Sequence, residues 1–368
     1  MGTDPSWMLA ERRWKDGAGP PCAARIESIG ARLPKRRLTS RELVAGMRHR
    51  THIDLERLTG IRERRVCSDG EDSFTLAVDA ARDCLARSSL RAEELEMVVC
   101  TSITRYVGGL SYRLEPPLSL SVKEAIGAPR ARSFDLANAC AGMMTGVFLL
   151  NDFIRRGAIR AGMVVSGEFI SSLGANAARD VRSIYSRQLA SLTLGDAGAA
   201  VIVQRAPSGR AGIAFAGFTT ISEHSRLCLG LPASQMPGAE MFTKARTIHK
   251  VAMQDAPPLV GEALEGSGLQ LSDIDWLIPH QTSTRAIRAG ERVLRERFGA
   301  GPKHTIVNVE SFGNTASTTH FVALHKYLGE GAFRRGERVM LLSVASGLEI
   351  GVIVLVMDDL VETHGRTH

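Results

Sequence analysis

Cysteine is scarce in this chain, and what there is shows no pairing pattern. The six residues Cys22, Cys67, Cys84, Cys100, Cys140 and Cys228 include no CxxC pair and no regular spacing. That excludes a disulfide framework or a zinc knuckle and fits reduced thiols in a cytoplasmic protein. Long apolar runs are missing too. The longest, at 339–342 and 352–357, are strand-sized, which excludes a membrane-spanning helix. Aromatic residues make up only 5%, and no nucleic-acid motif is present. Of the partners that a net charge of +7 would suit, nucleic acid is therefore the weakest. A membrane surface or an acidic protein fits better. Residues 1–22 are charged and lack an apolar segment, so they read as a flexible extension and not as a secretory signal.

What is present is ordinary globular material: 368 residues, 44% hydrophobic and 23% charged. Strand-like and helix-like segments alternate, which argues an α/β architecture. The two halves also resemble each other. "LEMVVCTSIT" (95–104) pairs with "IDWLIPHQTS" (274–283), each an acidic approach, a buried strand and a polar loop. "GMVVSGE" (162–168) pairs with "RVMLLSVAS" (338–346), and "GDAGAAVIVQR" (195–205) with "SGLEIGVIVLVMD" (346–358). The first pairing sets His280 against Thr101. The expected division is an N-terminal half at 23–205, a C-terminal half at 206–360 and a tail at 361–368.

Three polar residues stand where such a fold places chemistry. Cys140 follows a strand, sits among Ala137, Ala139, Ala141 and Gly142, and precedes a helical pattern. A helix N-terminus favours thiolate there, and small neighbours let a thioester and an oxyanion hole approach. The same residue also reads as a buried structural thiol. His280 begins a polar stretch just after the strand-like "DWLIP", facing the crevice at the strand ends. There an imidazole can donate to an enolate oxygen or shuttle a proton; a core histidine bonded to backbone is the other reading. Asn314, after Gly313, can donate to a developing oxyanion or simply cap a helix.

Taken together, "TGIRERRV", "DLANACAGMMTG", "LGDAGAAVIV", "PHQTSTRAI", "FGNTAST" and "SGLEIG" resemble the ordered motifs of the ketoacyl-ACP synthase III family of thiolase-fold condensing enzymes. The resemblance spans about 24–357. It implies a five-layered αβαβα sandwich of duplicated halves, a homodimer and a Cys140–His280–Asn314 triad. Cys140 would be acylated, and His280 and Asn314 would stabilise the carbanion that attacks the thioester. The backbone N–H groups of Cys140 and Gly347 would form the oxyanion hole. No metal and no bound cofactor are expected; the substrates would be acyl carrier protein or coenzyme A thioesters. Malonyl-dependent elongation and ester- or amide-forming acyl transfer on the same fold are the alternatives.

The chain departs from that family's pattern at informative places. The tryptophan and arginine that clamp coenzyme A in the family's primer synthases are replaced by Asp54 and Leu58, which removes stacking and cation–π contacts. This favours carrier-protein donors or a differently held coenzyme A. Ser283 stands where the histidine motif usually has Asn. Glu115 resembles a glutamate of a subgroup that joins two acyl chains, the olefin-pathway and α-pyrone-forming enzymes. There it reaches across the dimer as the base for the second substrate's α-carbon; a solvent-exposed loop residue is the other reading. Arg285, with Arg288, Arg292 and Arg295, forms a basic helical stripe. The resemblance assigns Arg285 to docking of the acidic acyl carrier protein.

Overall fold

The computed structural model describes residues 23–207 and 212–364. The extension expected at 1–22 and the last residues of the expected tail lie outside the described residues. The first half carries β1 (Ala24–Arg32), β2 (Met97–Cys100), β3 (Arg132–Asp135), β4 (Ala161–Glu168) and β5 (Ala197–Arg205). The second carries β6 (Gly212–Thr220), β7 (Trp276–Pro279), β8 (His304–Thr305), β9 (Arg338–Ala345) and β10 (Glu349–Val356). The sheet orders are β1-β5-β4-β2-β3 and β6-β10-β9-β7-β8. Every pairing matches between the two. β1 with β5 and β5 with β4 run antiparallel, as do β6 with β10 and β10 with β9. β4, β2 and β3 run parallel, as do β9, β7 and β8. The duplication read from the sequence is thus a duplication of topology, and each of the three motif pairs falls on equivalent strands.

Six helices follow the same rule: α1 (Ser73–Ala86), α2 (Leu118–Ala125) and α3 (Gly142–Arg155), then α4 (Ala245–Ser267), α5 (Thr284–Phe298) and α6 (Thr319–Gly329). Their apolar faces explain the layering. Met143, Val147 and Leu150 of α3 pack with Phe321, Leu324 and Leu328 of α6 in a core that both sheets share. Ala77, Ala81 and Cys84 of α1, with Leu118 and Val122 of α2, cover the outer face of the first sheet. Leu259, Val260 and Ala263 of α4, with Leu294 of α5, cover the second. Strand side chains alternate between faces, and in β5 both faces are filled. Ala199, Val201 and Val203 point to the shared layer, and Ala200 and Ile202 to the outer one. The result is the expected five-layered αβαβα sandwich.

Close approach of α1 to the first sheet depends on missing side chains. A Cβ at Gly30, Gly167 or Gly198 would run into the α1 backbone at Ser73, Leu76, Ala80 or Cys84. Leu360–Thr363 is a short helix, Leu360 and His364 are buried, and Arg87 Nη1 donates to the His364 carbonyl at 2.6 Å. Apolar packing and this bond hold the chain to the body through residue 364.

Candidate active site

The equivalent central strands β2 and β7 end at Cys100 and Pro279, so the next residues, Thr101 and His280, occupy equivalent places. Each is pinned in the same manner: Thr101 N–H donates to the Val165 carbonyl at 2.9 Å, and His280 N–H to the Leu342 carbonyl at 2.8 Å. Cys140 lies in a single turn, Ala139–Ala141, that feeds directly into α3. The turn before α6, Ala316–Thr318, has the same form. Among the described residues, three that are not glycine have left-handed φ values: Ala139 at 44°, Ala316 at 53° and Leu348 at 55°. Ala139 adjoins Cys140, Leu348 adjoins Gly347, and Ala316 donates its N–H to Asn314 Oδ1, so each strained residue lies beside one of the named residues.

Asn314 is held by its own backbone. Its N–H donates to the Thr193 carbonyl at 2.9 Å, and its carbonyl accepts from Gly195 N–H at 3.0 Å. Its side-chain Oδ1 accepts from Ala316 N–H at 3.0 Å. This local bond, two residues along and one short of the Thr315 cap, orients the amide so that Nδ2 remains the end able to donate. Gly313 makes the preceding bend at φ 67°, where a Cβ would press on the Thr193 carbonyl and Arg64.

Cys140, His280 and Asn314 all line one cavity of about 760 Å³. Leu58, Leu189, Ala190, Met241, Ala252 and Leu342 are among its apolar walls. Burial holds the His280 imidazole down to about 3, with His320 and His249 adding to the effect. Burial pushes the Cys140 thiol up, helped by Cys228 and by Glu168. This opposes the pull of the helix terminus toward thiolate. Burial therefore favours the uncharged form of each group, thiol and imidazole.

Several residues that build the site drew no notice in the sequence. His320, on the first turn of α6, is fully buried. Its ring stacks on that of His280 with centroids 5.9 Å apart. Its Nε2 lies 3.0 Å from the Leu342 carbonyl, which also accepts the His280 N–H. Glu168, at the end of β4, is buried and accepts from Ile103 and Thr104 N–H and from the hydroxyls of Thr104, Ser166 and Ser317. It ties the first half to the turn after Asn314. Gln281 accepts from Asn308 and Val309 N–H and donates to the Pro279 and Ile306 carbonyls, which locks the His280 loop to the segment leading to Asn314. Adjacency to His280 and a glutamate closing an apolar strand were the only signals available for the last two.

The remaining named residues fall in different places. Gly347 has φ 90° in the β9–β10 turn; its neighbours Ala345 and Ser346 line the cavity, and it does not. Glu115 is exposed, outside the cavity, beside exposed Tyr112 and Leu114. Arg285 is exposed and lines the cavity mouth, and Arg288, Arg292 and Arg295 are exposed along the same helix. Arg295 pairs with Glu291 at 3.2 Å. Asp54 caps the short helix Leu55–Thr59 by accepting from Arg57 N–H at 2.9 Å. Leu58 of that helix is a cavity wall. Ser283 caps α5, accepting from Ala286 N–H at 3.1 Å.

Two family models match, both for 3-oxoacyl-[acyl-carrier-protein] synthase III: one over residues 134–222 and its C-terminal companion over 264–357. The beta-ketoacyl-[acyl-carrier-protein] synthase III of Symbiobacterium thermophilum is 30% identical over 340 residues, covering 90% of this chain and 97% of that protein. The chain belongs to the 3-oxoacyl-[acyl-carrier-protein] synthase III family. Solved structures agree on the fold. OleA of Xanthomonas campestris superposes with a TM-score of 0.78 at 22% identity, covering 93% of this chain and all of that one. The priming β-ketosynthase of the R1128 polyketide pathway does so with 0.77 at 24% identity, covering 93% and 98%. This synthase III-like protein is thus a condensing enzyme of the acyltransferase class. Among its described residues no helix is long and apolar enough to cross a membrane.

Proposed function

We propose that this synthase loads an acyl group onto Cys140 and condenses it with a second acyl thioester through a new carbon–carbon bond. The supporting observation is the convergence of Cys140, His280 and Asn314 on one cavity whose walls are mostly apolar. In the first step neutral His280 takes the thiol proton and sulfur attacks the donor thioester. The Cys140 S–C bond forms, the donor's S–C bond breaks, and the departing thiolate recovers the proton. The N–H groups of Cys140 and Gly347 would hold the tetrahedral oxyanion. In the second step the enolate of the other thioester accepts hydrogen bonds from His280 and Asn314. Its carbon attacks the Cys140 thioester, and the cysteine sulfur leaves and is reprotonated.

The second substrate must lose either a carboxylate or an α-proton to become that enolate. Glu115 supports proton removal, acting from a homodimer partner. It is exposed on its own chain, away from its own cavity, and flanked by Tyr112 at 52% and Leu114 at 75% exposure, a face that suits a second copy. Joining of two acyl chains without decarboxylation is therefore favoured over malonyl-dependent elongation. The exposed arginines of α5, with Arg285 at the mouth, suit an acidic acyl carrier protein.

Intact mass spectrometry after mixing with a panel of acyl donors tests the loading step: an acyl adduct is expected on the native chain and not on Cys140→Ala. Glu115→Ala should then abolish condensation of two non-malonyl thioesters and spare a malonyl-dependent reaction. Full activity of Glu115→Ala on two non-malonyl donors would reject the base.

A further inference from the structure

We infer that Glu168 is a positioning residue for carbon–carbon formation: its buried carboxylate clamps the turn that orients the Asn314 amide. This rests on the condensation at Cys140 proposed above. Glu168 closes β4 in the first half of the chain, is fully buried and does not line the cavity, so it acts through other groups. Its Oε1 accepts from Ile103 N–H at 2.9 Å, from the Ser166 hydroxyl at 3.1 Å and from the Ser317 hydroxyl at 2.6 Å. Its Oε2 accepts from Thr104 N–H at 3.1 Å and from the Thr104 hydroxyl at 3.0 Å. The Thr104 hydroxyl itself accepts from the Ser73 hydroxyl and from Phe169 N–H, which leaves its own hydrogen for Glu168. Only donors face Oε2, so this pocket is built for the carboxylate and not for the acid.

The Ser317 bond is the one that reaches the site. At 2.6 Å it has the length of a hydroxyl donating to a charged oxygen. Ser317 sits in the turn Ala316–Thr318, whose first residue has φ 53°. An alanine stays there only where its surroundings hold it. That same Ala316 gives its N–H to Asn314 Oδ1 at 3.0 Å and so fixes which end of the amide can donate. The second half of the chain thus takes the setting of its amide from a carboxylate of the first half. The charge has a second consequence. Among the described residues no cation pairs with Glu168. The titratable groups that feel its charge are Cys140, Cys100 and Tyr106, and it makes each of them harder to ionise. Glu168 therefore favours condensation and restrains acyl loading, and removing its charge moves the two steps in opposite directions.

The test follows the two steps separately in the full chain, in Ser317→Ala and in Glu168→Gln: loading by intact mass, condensation by product formed. Ser317→Ala removes only the linking hydroxyl. It should lower kcat for condensation about tenfold, the cost of about one hydrogen bond to a charged group, with KM and the loading rate little changed. Glu168→Gln removes both the bond and the charge. Its condensation should fall at least as far, while its loading at the acidic end of the pH profile becomes faster than that of the native chain. A merely structural role would slow both steps together. Equal losses of loading and condensation in Ser317→Ala, or native condensation in that variant, would overturn the assignment. Crystal structures of the two variants supply a readout that does not depend on turnover. An Asn314 amide displaced in Ser317→Ala, in a protein whose Cys140 never takes an acyl group, would reject the loading reaction and leave the clamp standing. An amide that keeps its place in both variants would sink the clamp whatever the activity.

Discussion

His280 and His320 meet at one acceptor, the Leu342 carbonyl, and that shared bond sets what each substitution should do. His320 is neutral, held down to about 4 by burial, so its Nε2 carries the proton and donates. Glutamine can place an amide nitrogen near the same point; asparagine is too short. His320→Gln should retain most condensing activity, whereas His320→Asn should lose about tenfold in kcat, the cost of about one hydrogen bond to the site, with KM little changed. Equal rates in the two variants would show that the bond does not position His280. At Asn314 the donor is the amide itself. Asn314→Ala should slow carbon–carbon formation by about 100- to 1,000-fold, the loss typical of one oxyanion donor. Acyl loading on Cys140, read by mass, should persist. That Cys140, His280 and Asn314 would face one cavity was legible because each stands in a short motif just after a strand or a sharp bend. His320 was not, because "TTHFVAL" is an ordinary buried helical stretch, and nothing local says that its histidine faces another ring.

At the scale of elements, the duplicated halves were readable because a strand covered on both faces leaves a continuous apolar run. Each such run here ends in a polar loop. The meeting of separate motifs was less readable. Arg64, within "TGIRERRV", is buried, and burial lowers its guanidinium to about 10. Its Cβ packs where Gly195 of "LGDAG" and Gly313 of "FGNTAST" leave room. Three motifs far apart in sequence therefore share one contact that no spacing rule encodes. Helix α4 also defies local reading. Pro257 and Pro258 lie inside its 23 residues and, having no N–H, leave the Met253 and Gln254 carbonyls without their usual partners. Burial of Leu259, Val260 and Ala263 in the outer core carries the helix through this break. Two stability tests belong here. Gly167→Val on β4 puts a branched side chain against the α1 backbone and should cost about 3 kcal/mol or more by urea unfolding. Asp54→Ala removes a single exposed cap and should cost only about 1 kcal/mol.

For the molecule as a whole, the buried imidazoles make stability a function of pH. His280 at about 3, His320 at about 4 and His364 at about 4 all lie below the ordinary histidine value, each through burial first. Between those values and about 6.5 the unfolded chain holds protons on these rings and the folded chain does not. Stability from this source is complete above about 6.5 and falls as the solution becomes more acidic. Two buried carboxyls work the other way: Asp196 is raised to about 6, and Glu168 is raised, again by burial. They are protonated more readily in the folded chain and offset part of the loss as pH falls past 6. The net curve therefore mixes both signs, and a single-residue comparison isolates one of them. Each imidazole that stays neutral in the fold contributes about 1.4 kcal/mol per pH unit to the slope. Removing one by His320→Gln should make the urea-unfolding free energy fall less steeply by about that amount between pH 6 and 4.5. Parallel slopes in the two proteins would mean that His320 takes up its proton in the folded state. Its ring could not then be a neutral neighbour of the His280 imidazole.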